Sequence, residues 1–264
     1  MEINRGLIEG QRSTDFVAGA LPYEIRNPLG DWMPYLPPGE FQRNHVFDSL
    51  ACVTFSALNS IETQHKFLTG QDRNFSDRFT AKMSGTTNQG NYLFKVADSI
   101  RKDGLVDEVV WPTADNFNWD SYYIFPPIEV LNKGREFLND WEVSYEFIDF
   151  SRDSLIYHLK HAPLQTTIPG HAVLTFWSTQ QVTRFFDSYE PWIKERTESF
   201  GSALKIVLTR KTKVMDNVEV RKLYRLAFYR EPDSGELSFW TGRSLAEFLT
   251  VALKDRAEFL SNPI

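Results

Sequence analysis

The stretch Phe47-Asp-Ser-Leu-Ala-Cys-Val-Thr-Phe-Ser-Ala-Leu-Asn-Ser-Ile-Glu62 carries the only cysteine of the chain, Cys52, where a polar loop passes into an apolar run of helical period. Leu50, Val53, Ala57, Leu58 and Ile61 recur at helical spacing, Asp48 or Ser49 stands where an N-cap belongs, and Gly70 marks a stop after Phe67. A thiol at the start of such a helix lies at the positive end of the backbone dipole, which favours the thiolate. The competing reading is a small buried hydrophobe, because free cysteine is among the most buried residue types. A nucleophilic thiol needs a base, and the base needs an acceptor to orient it, so the rest of the chain decides between the two.

With 264 residues there is room for one large domain, or a medium domain with a small appendage. A hydrophobic content of 42% with 14% aromatics supplies a globular core. The net charge is −6 and the longest basic cluster is Arg210-Lys-Thr-Lys213, which argues against nucleic acid as the main partner. One cysteine allows no intrachain disulfide. The N-terminus has no basic region followed by an apolar core, and no apolar run is long enough to span a bilayer. No signal peptide, transmembrane segment, membrane partner, metal or cofactor is therefore expected.

In chain order, residues 1–30 read as an extended arm, interrupted by Pro22, Pro28 and Gly30. Pro34, Pro37, Pro38 and Gly39 forbid regular structure in the next ten residues, whose aromatics pin the segment to a surface. A second helix is expected over 92–102, with Leu93, Val96, Ala97 and Ile100 on one face and Gly104 as its stop. Residues 111–127 read as a long ordered loop and 128–139 as a short helix. From Trp141 the pattern turns to strands at 142–149, 164–168, 171–177, 182–187 and 203–208. A short helix capped by Ser151 or Asp153 and running to His161 interrupts them. A helical first half and a strand-rich second half predict an α+β domain of two lobes, with chemistry between them.

Five histidines compete for the base. His45 precedes the cysteine helix, His65 lies too far along it, and His158 and His161 fall on an amphipathic helix that presents them to solvent. His171 differs, because it follows Pro169-Gly170 and opens a β-run that can hold an imidazole rigidly. Asp187 ends the following run, and two antiparallel neighbours of that length bring it beside His171.

These residues resemble those of the papain-like thiol peptidases. Ala51-Cys52-Val-Thr-Phe-Ser-Ala-Leu-Asn-Ser-Ile-Glu62 looks like their cysteine helix, and Gly170-His171-Ala172-Val173 resembles their Asp-His-Ala-Val. Asp187-Ser188-Tyr189 stands where the family has Asn-Ser-Trp, and Asn88-Gln89-Gly90-Asn91-Tyr92 resembles the Asn-Gly-Gly stretch whose backbone binds substrate. Gly104-Leu105 and Trp111-Pro112 fall where the family has Gly-Ile and Tyr-Pro. The resemblance covers residues 31 to about 210. It implies a two-lobed papain-like fold with Cys52 as nucleophile, His171 as base and acid, and Asp187 orienting the ring. Asn88, Gly90, Asn91 and Gly170 would line the substrate. The family places its oxyanion glutamine six residues before the cysteine, where this chain has Val46; Gln42 is the nearest glutamine, with Asn44 or His45 as substitutes.

Residues 213–264 return to helical periodicity, with a stripe of Val220, Leu223, Tyr224, Ala227 and Phe228, a turn at 231–235, and further apolar positions from Leu237 to Leu253. Together with Ala257-Glu258-Phe259 they resemble a small helical domain of unknown function from bacterial and phage proteins. That resemblance implies a docking module for a protein partner; a helical cap packed on the first domain is the plainer alternative. The expectation for the whole chain is a peptidase of peptide or protein substrates with arm 1–30, catalytic domain 31–212 and helical domain 213–264, cytoplasmic or packaged in a phage particle. Two alternatives stand beside it: a papain-fold binding or structural protein without turnover, such as a virion component, and an acyl transferase using the same cysteine.

Overall fold

A computed structural model describes residues 5–8, 24–212 and 215–251. The chain forms two compact units, Met1–Thr209 and Arg210–Ile264.

The first unit is built on α1 (Cys52–Thr69), whose residues from Cys52 to His65 are all buried. A helix buried on every side must satisfy its polar side chains internally. Ser60 donates to the carbonyl of Pro163, and Gln64 donates to the carbonyl of Ile206 while accepting from the N–H of Leu208. Gln165 donates to the carbonyl of Val53 at 2.7 Å, and Glu62 accepts from the N–H of Phe75. Through Gln64 the helix is bonded to the backbone at Ile206 and Leu208, in addition to its apolar packing. Around it stand α2 (Asp77–Met83), α3 (Leu93–Asp103), α4 (Trp119–Tyr122) and α5 (Ile128–Asp140).

The strand-rich part is one six-stranded sheet in the order β1-β6-β2-β3-β4-β5. Its strands are β1 (Trp141–Ile148), β2 (Leu164–Ile168), β3 (His171–Ser178), β4 (Thr183–Phe186), β5 (Ile193–Arg196) and β6 (Ala203–Arg210), with α6 (Arg152–His158) between β1 and β2. The β2–β3, β3–β4, β4–β5 and β2–β6 pairs are antiparallel. This is an α+β fold. One core joins Cys52, Leu58 and Ile61 of α1 to Val96 and Ile100 of α3 and to Val143, Leu204 and Ile206 of the sheet. A second gathers Trp32, Leu155, Leu174, Phe176 and Phe186. Trp32 is buried, donates its indole N–H to the carbonyl of Leu159 at 2.7 Å, and meets Phe67 edge-on.

Several expectations need correction. The proline-rich segment does hold a turn of 3₁₀ helix, Met33–Tyr35, which proline permits in a first turn. Neither Asp48 nor Ser49 caps α1; the cap position is Ala51, without a side-chain bond. Helix α2 was not expected because polar residues fill it, yet Asp77 and Arg78 are buried. The Arg78 guanidinium lies over the rings of Trp111 and Phe117 and donates to the carbonyls of Tyr122, Ser121 and Pro112, so it staples the 111–127 loop, which itself contains α4. His158 and His161 are buried, not solvated. They lie by the buried Lys205–Glu146 pair, and burial, followed by the charge of Lys205, pushes His158 down to about 4.

In the second unit, α7 (Asn217–Phe228) and α8 (Ser234–Trp240) each begin with a capping box, on Asp216–Glu219 and Asp233–Glu236. A further helix starts at 245. Met215, Val220, Tyr224, Trp240 and Phe248 form its core. Residues 9–23 of the arm, Leu253 and the Ala257-Glu258-Phe259 motif lie outside the described residues.

Candidate active site

The turn leading into α1 is tight. Leu50 sits at φ +53°, a left-handed conformation that a branched side chain rarely adopts. Asp48 holds the turn: its carboxylate accepts from the N–H of Leu50, the amide of Gln42 and the hydroxyl of Tyr189. Ser49 turns its hydroxyl onto the carbonyl of Gln42. With both polar side chains occupied, no side chain caps α1 at the end where Cys52 begins it.

The Cys52 sulfur is fully buried and accepts from the N–H of Ala172 at 3.4 Å. Burial pushes the thiol up to about 12 against that bond, with the Asp48 and Asp187 carboxylates adding to the rise. His171 is placed by the β2–β3 hairpin, where Pro169-Gly170 turns the chain and Ile168 pairs with His171. Its Nε2 lies 2.7 Å from Oδ1 of Asp187, both side chains being buried. Taking Nε2 as the protonated nitrogen follows from that acceptor. Nδ1 is buried with no hydrogen-bond partner. Asp187 follows β4, and its N–H is tied to the carbonyl of Trp192 at 2.8 Å. Burial raises its carboxyl, but the hydrogen bond and charge of His171, then those of Lys194, outweigh it, and the group stays below the usual carboxylate range.

Gln42 is buried beside these residues. Its amide nitrogen donates to the carbonyl of Arg5 at 3.0 Å and to Asp48 at 2.9 Å, and its oxygen accepts from the Ser188 hydroxyl at 2.8 Å. Val46 and His45 are exposed, and Asn44 is committed to the carbonyl of Phe117 and to the turn N–H groups of Val46 and Phe47. Of the three side chains considered for the oxyanion, only Gln42 is buried, bonded to Ser188 next to Asp187 and to Asp48 in the turn before Cys52. Gly170, Gly90 and Asn91 all meet residues 5–8 of the arm. Asn88 is exposed.

Residues 5–8 bend at Gly6 and lie against Gly170 and Asn91. The N–H of Arg5 donates to the carbonyl of Gly170 at 2.9 Å, that of Ile8 to Asn91, and that of Asn91 to Gly6. Leu7 pairs with Asn91 in parallel register and is buried in the same core as Cys52. The fit requires glycine on both sides: a Cβ on Gly6 would lie 1.9 Å from the carbonyl oxygen of Leu50, and one on Gly90 1.9 Å from that of Gly6. Arg5 lies over the ring of Tyr189, which in turn packs near His171.

Sequence reasoning missed the site roles of Asp48 and Lys194 and did not say where the arm would pair. Lys194 was legible in part, since Ile193-Lys-Glu-Arg196 alternates after a Pro-containing turn, and pairing it with the preceding strand puts Lys194 opposite Phe185. Nothing in the arm's sequence announced that Gly6-Leu7 would lie on Asn91.

No family model matches the chain, and no curated protein matches it in sequence. Solved structures do match in shape. Xylellain, a cysteine protease from Xylella fastidiosa, superposes with a TM-score of 0.55 at 14% identity over 77% of this chain and 95% of its own. The chain has the papain-like fold. Digestive procathepsin L 3 of Tenebrio molitor larval midgut gives a TM-score of 0.53 at 14% identity, covering 77% of this chain and 76% of its own. The Carica candamarcensis cysteine protease CMS1MS2, solved in complex with E-64, gives 0.50 at 14% identity over 67% and 96%. Over the described residues, no helix of this papain-like chain is long and apolar enough to cross a membrane.

Proposed function

We propose that the chain is a thiol peptidase in which Cys52, His171 and Asp187 hydrolyse peptide amides through an acyl-enzyme. The observation that carries this reading is the imidazole of His171: one nitrogen is fixed by a buried carboxylate, and the other, Nδ1, is buried without a partner one residue from the N–H that holds the Cys52 sulfur. Nδ1 takes the thiol proton, the sulfur attacks the substrate carbonyl carbon, and the C–N bond breaks as the imidazolium returns that proton to the leaving amine. Water, deprotonated by the same nitrogen, then attacks the thioester and releases the acid and the thiol. Gln42 and the N–H of Cys52 receive the oxyanion. Supporting this role, the Gln42 amide already donates to a peptide carbonyl, that of Arg5.

A second reading is favoured by the burial of the sulfur, which suits a papain-fold protein that binds peptide without turnover. Labelling with the epoxide E-64, followed by mass spectrometry and by a peptide-library digest, separates them. A peptidase forms an adduct on Cys52 and cleaves peptides; absence of both, in the wild type and in a variant whose arm is displaced, sinks the first reading.

A further inference from the structure

Asp187 stands where the resemblance leads one to expect a neutral asparagine, and an uncompensated carboxylate there would change the charge balance of the thiol–imidazole pair. The structure supplies a compensating charge. Lys194 of β5 places its ammonium 2.6 Å from Oδ2 of Asp187, while Nε2 of His171 holds Oδ1 at 2.7 Å. The same ammonium donates to the carbonyl of Tyr189 at 3.0 Å, bridging the loop between β4 and β5. The Lys194 side chain retains about a quarter of its exposure, whereas that of Asp187 has almost none, so the cation reaches inward from the rim to meet a buried anion.

We propose that Lys194 is a positioning residue for this site, holding the second oxygen of Asp187 so that the Asp187–Lys194 pair acts on His171 as an electroneutral stand-in for an uncharged amide. Both lone-pair edges of the carboxylate are taken by opposing donors, so it cannot rotate away from the imidazole. The pair also explains why an asparagine would not serve here by itself: with its oxygen on Nε2, its NH2 would face an ammonium, donor against donor. The other charged or titratable groups at the site are Cys52, Asp48, Tyr189, Arg5 and Arg43, the last two over the Tyr189 ring. They are common to every variant below.

The proposal rests on the thiol–imidazole reading above but is tested without turnover. The wild type is compared with Lys194→Met, Lys194→Arg, Asp187→Asn and the double variant Asp187→Asn/Lys194→Met. One readout is the NMR titration midpoint of the His171 ring, assigned with His171→Gln. The other is the pH profile of iodoacetamide alkylation, which reports a single site because Cys52 is the only thiol. Lys194→Met leaves the carboxylate uncompensated and should move the His171 midpoint and the alkaline limb of alkylation up by about one pH unit, a Coulomb effect reduced by solvent screening. Asp187→Asn should move both down. The double variant should return close to wild type, and Lys194→Arg should remain there. A merely structural lysine would change stability while leaving the midpoints in place. Unshifted midpoints in Lys194→Met, or a double variant whose midpoints stay as far from wild type as those of either single variant, overturn the proposal. Should the wild type titrate as expected yet neither label with E-64 nor cleave peptide, the peptidase reading fails while the charge pairing is still decided by the NMR midpoints.

Discussion

At the scale of single residues, the half-buried Glu108 and the buried His158 titrate in opposing senses. Burial, with the Glu40 carboxylate, raises Glu108 to about 7, and the same causes push Asp77 and Glu62 upward. A carboxyl raised on folding stabilises below its unfolded value and loses that contribution as pH rises, here between about 4.5 and 7. His158, lowered to about 4, does the reverse: its contribution is present above the unfolded value of 6.5 and lost as pH falls toward 4. Each is worth about 2 kcal/mol after allowance for screening. Glu108→Gln should therefore steepen the loss of Tm in acid, and His158→Gln should expose a loss toward neutrality; parallel Tm–pH curves in wild type and both variants would refute this. The order Cys52, His171, Asp187 could be read from the sequence, and the structure sets His171 against Asp187 and the N–H of Ala172 against the Cys52 sulfur. The burial of His158 was not, since it depends on Lys205 and Glu146, distant in sequence and joined to it only by the sheet.

At the scale of elements, period decided what could be read. Helices α1 and α3 carry apolar stripes and end at Gly70 and Gly104, close to where they were expected. Strand β5 was missed because it is an edge strand of alternating half-exposed and exposed residues, with no apolar face to betray it. Helix α2 was missed because its buried charges obscure the stripe. The arm element 5–8 shares a core with the thiol, since Leu7 and Cys52 are buried in the same cluster. Gly6→Ala would drive a Cβ into the Leu50 carbonyl and force a residue already at φ +108° to carry a side chain. The variant should release the segment and raise the iodoacetamide rate at Cys52 by at least tenfold, with the global Tm little changed. An unchanged rate would mean that something other than the arm encloses the sulfur.

At the scale of the whole molecule, the two compact units divide the labour, for every residue placed in the candidate site lies within Met1–Thr209. The second unit has a small core, and its α7 exposes Leu226. Trp240→Ala removes the largest member of that core and should cost roughly 3–5 kcal/mol locally. Hydrogen exchange should rise across 215–251 while E-64 labelling of Cys52 keeps its wild-type rate; a fall in labelling would tie the units together. The arm has a kinetic consequence as well. Because Gly6-Leu7 is covalently part of the chain it pairs with, it meets Asn91 at an effective concentration that does not depend on the protein concentration. Dilution cannot release that pairing, and any external peptide directed to Asn91 must displace a tethered one. A single cut just after Ile8 would turn the tether into a free peptide of at least eight residues, lost to bulk solvent, and the change would be irreversible.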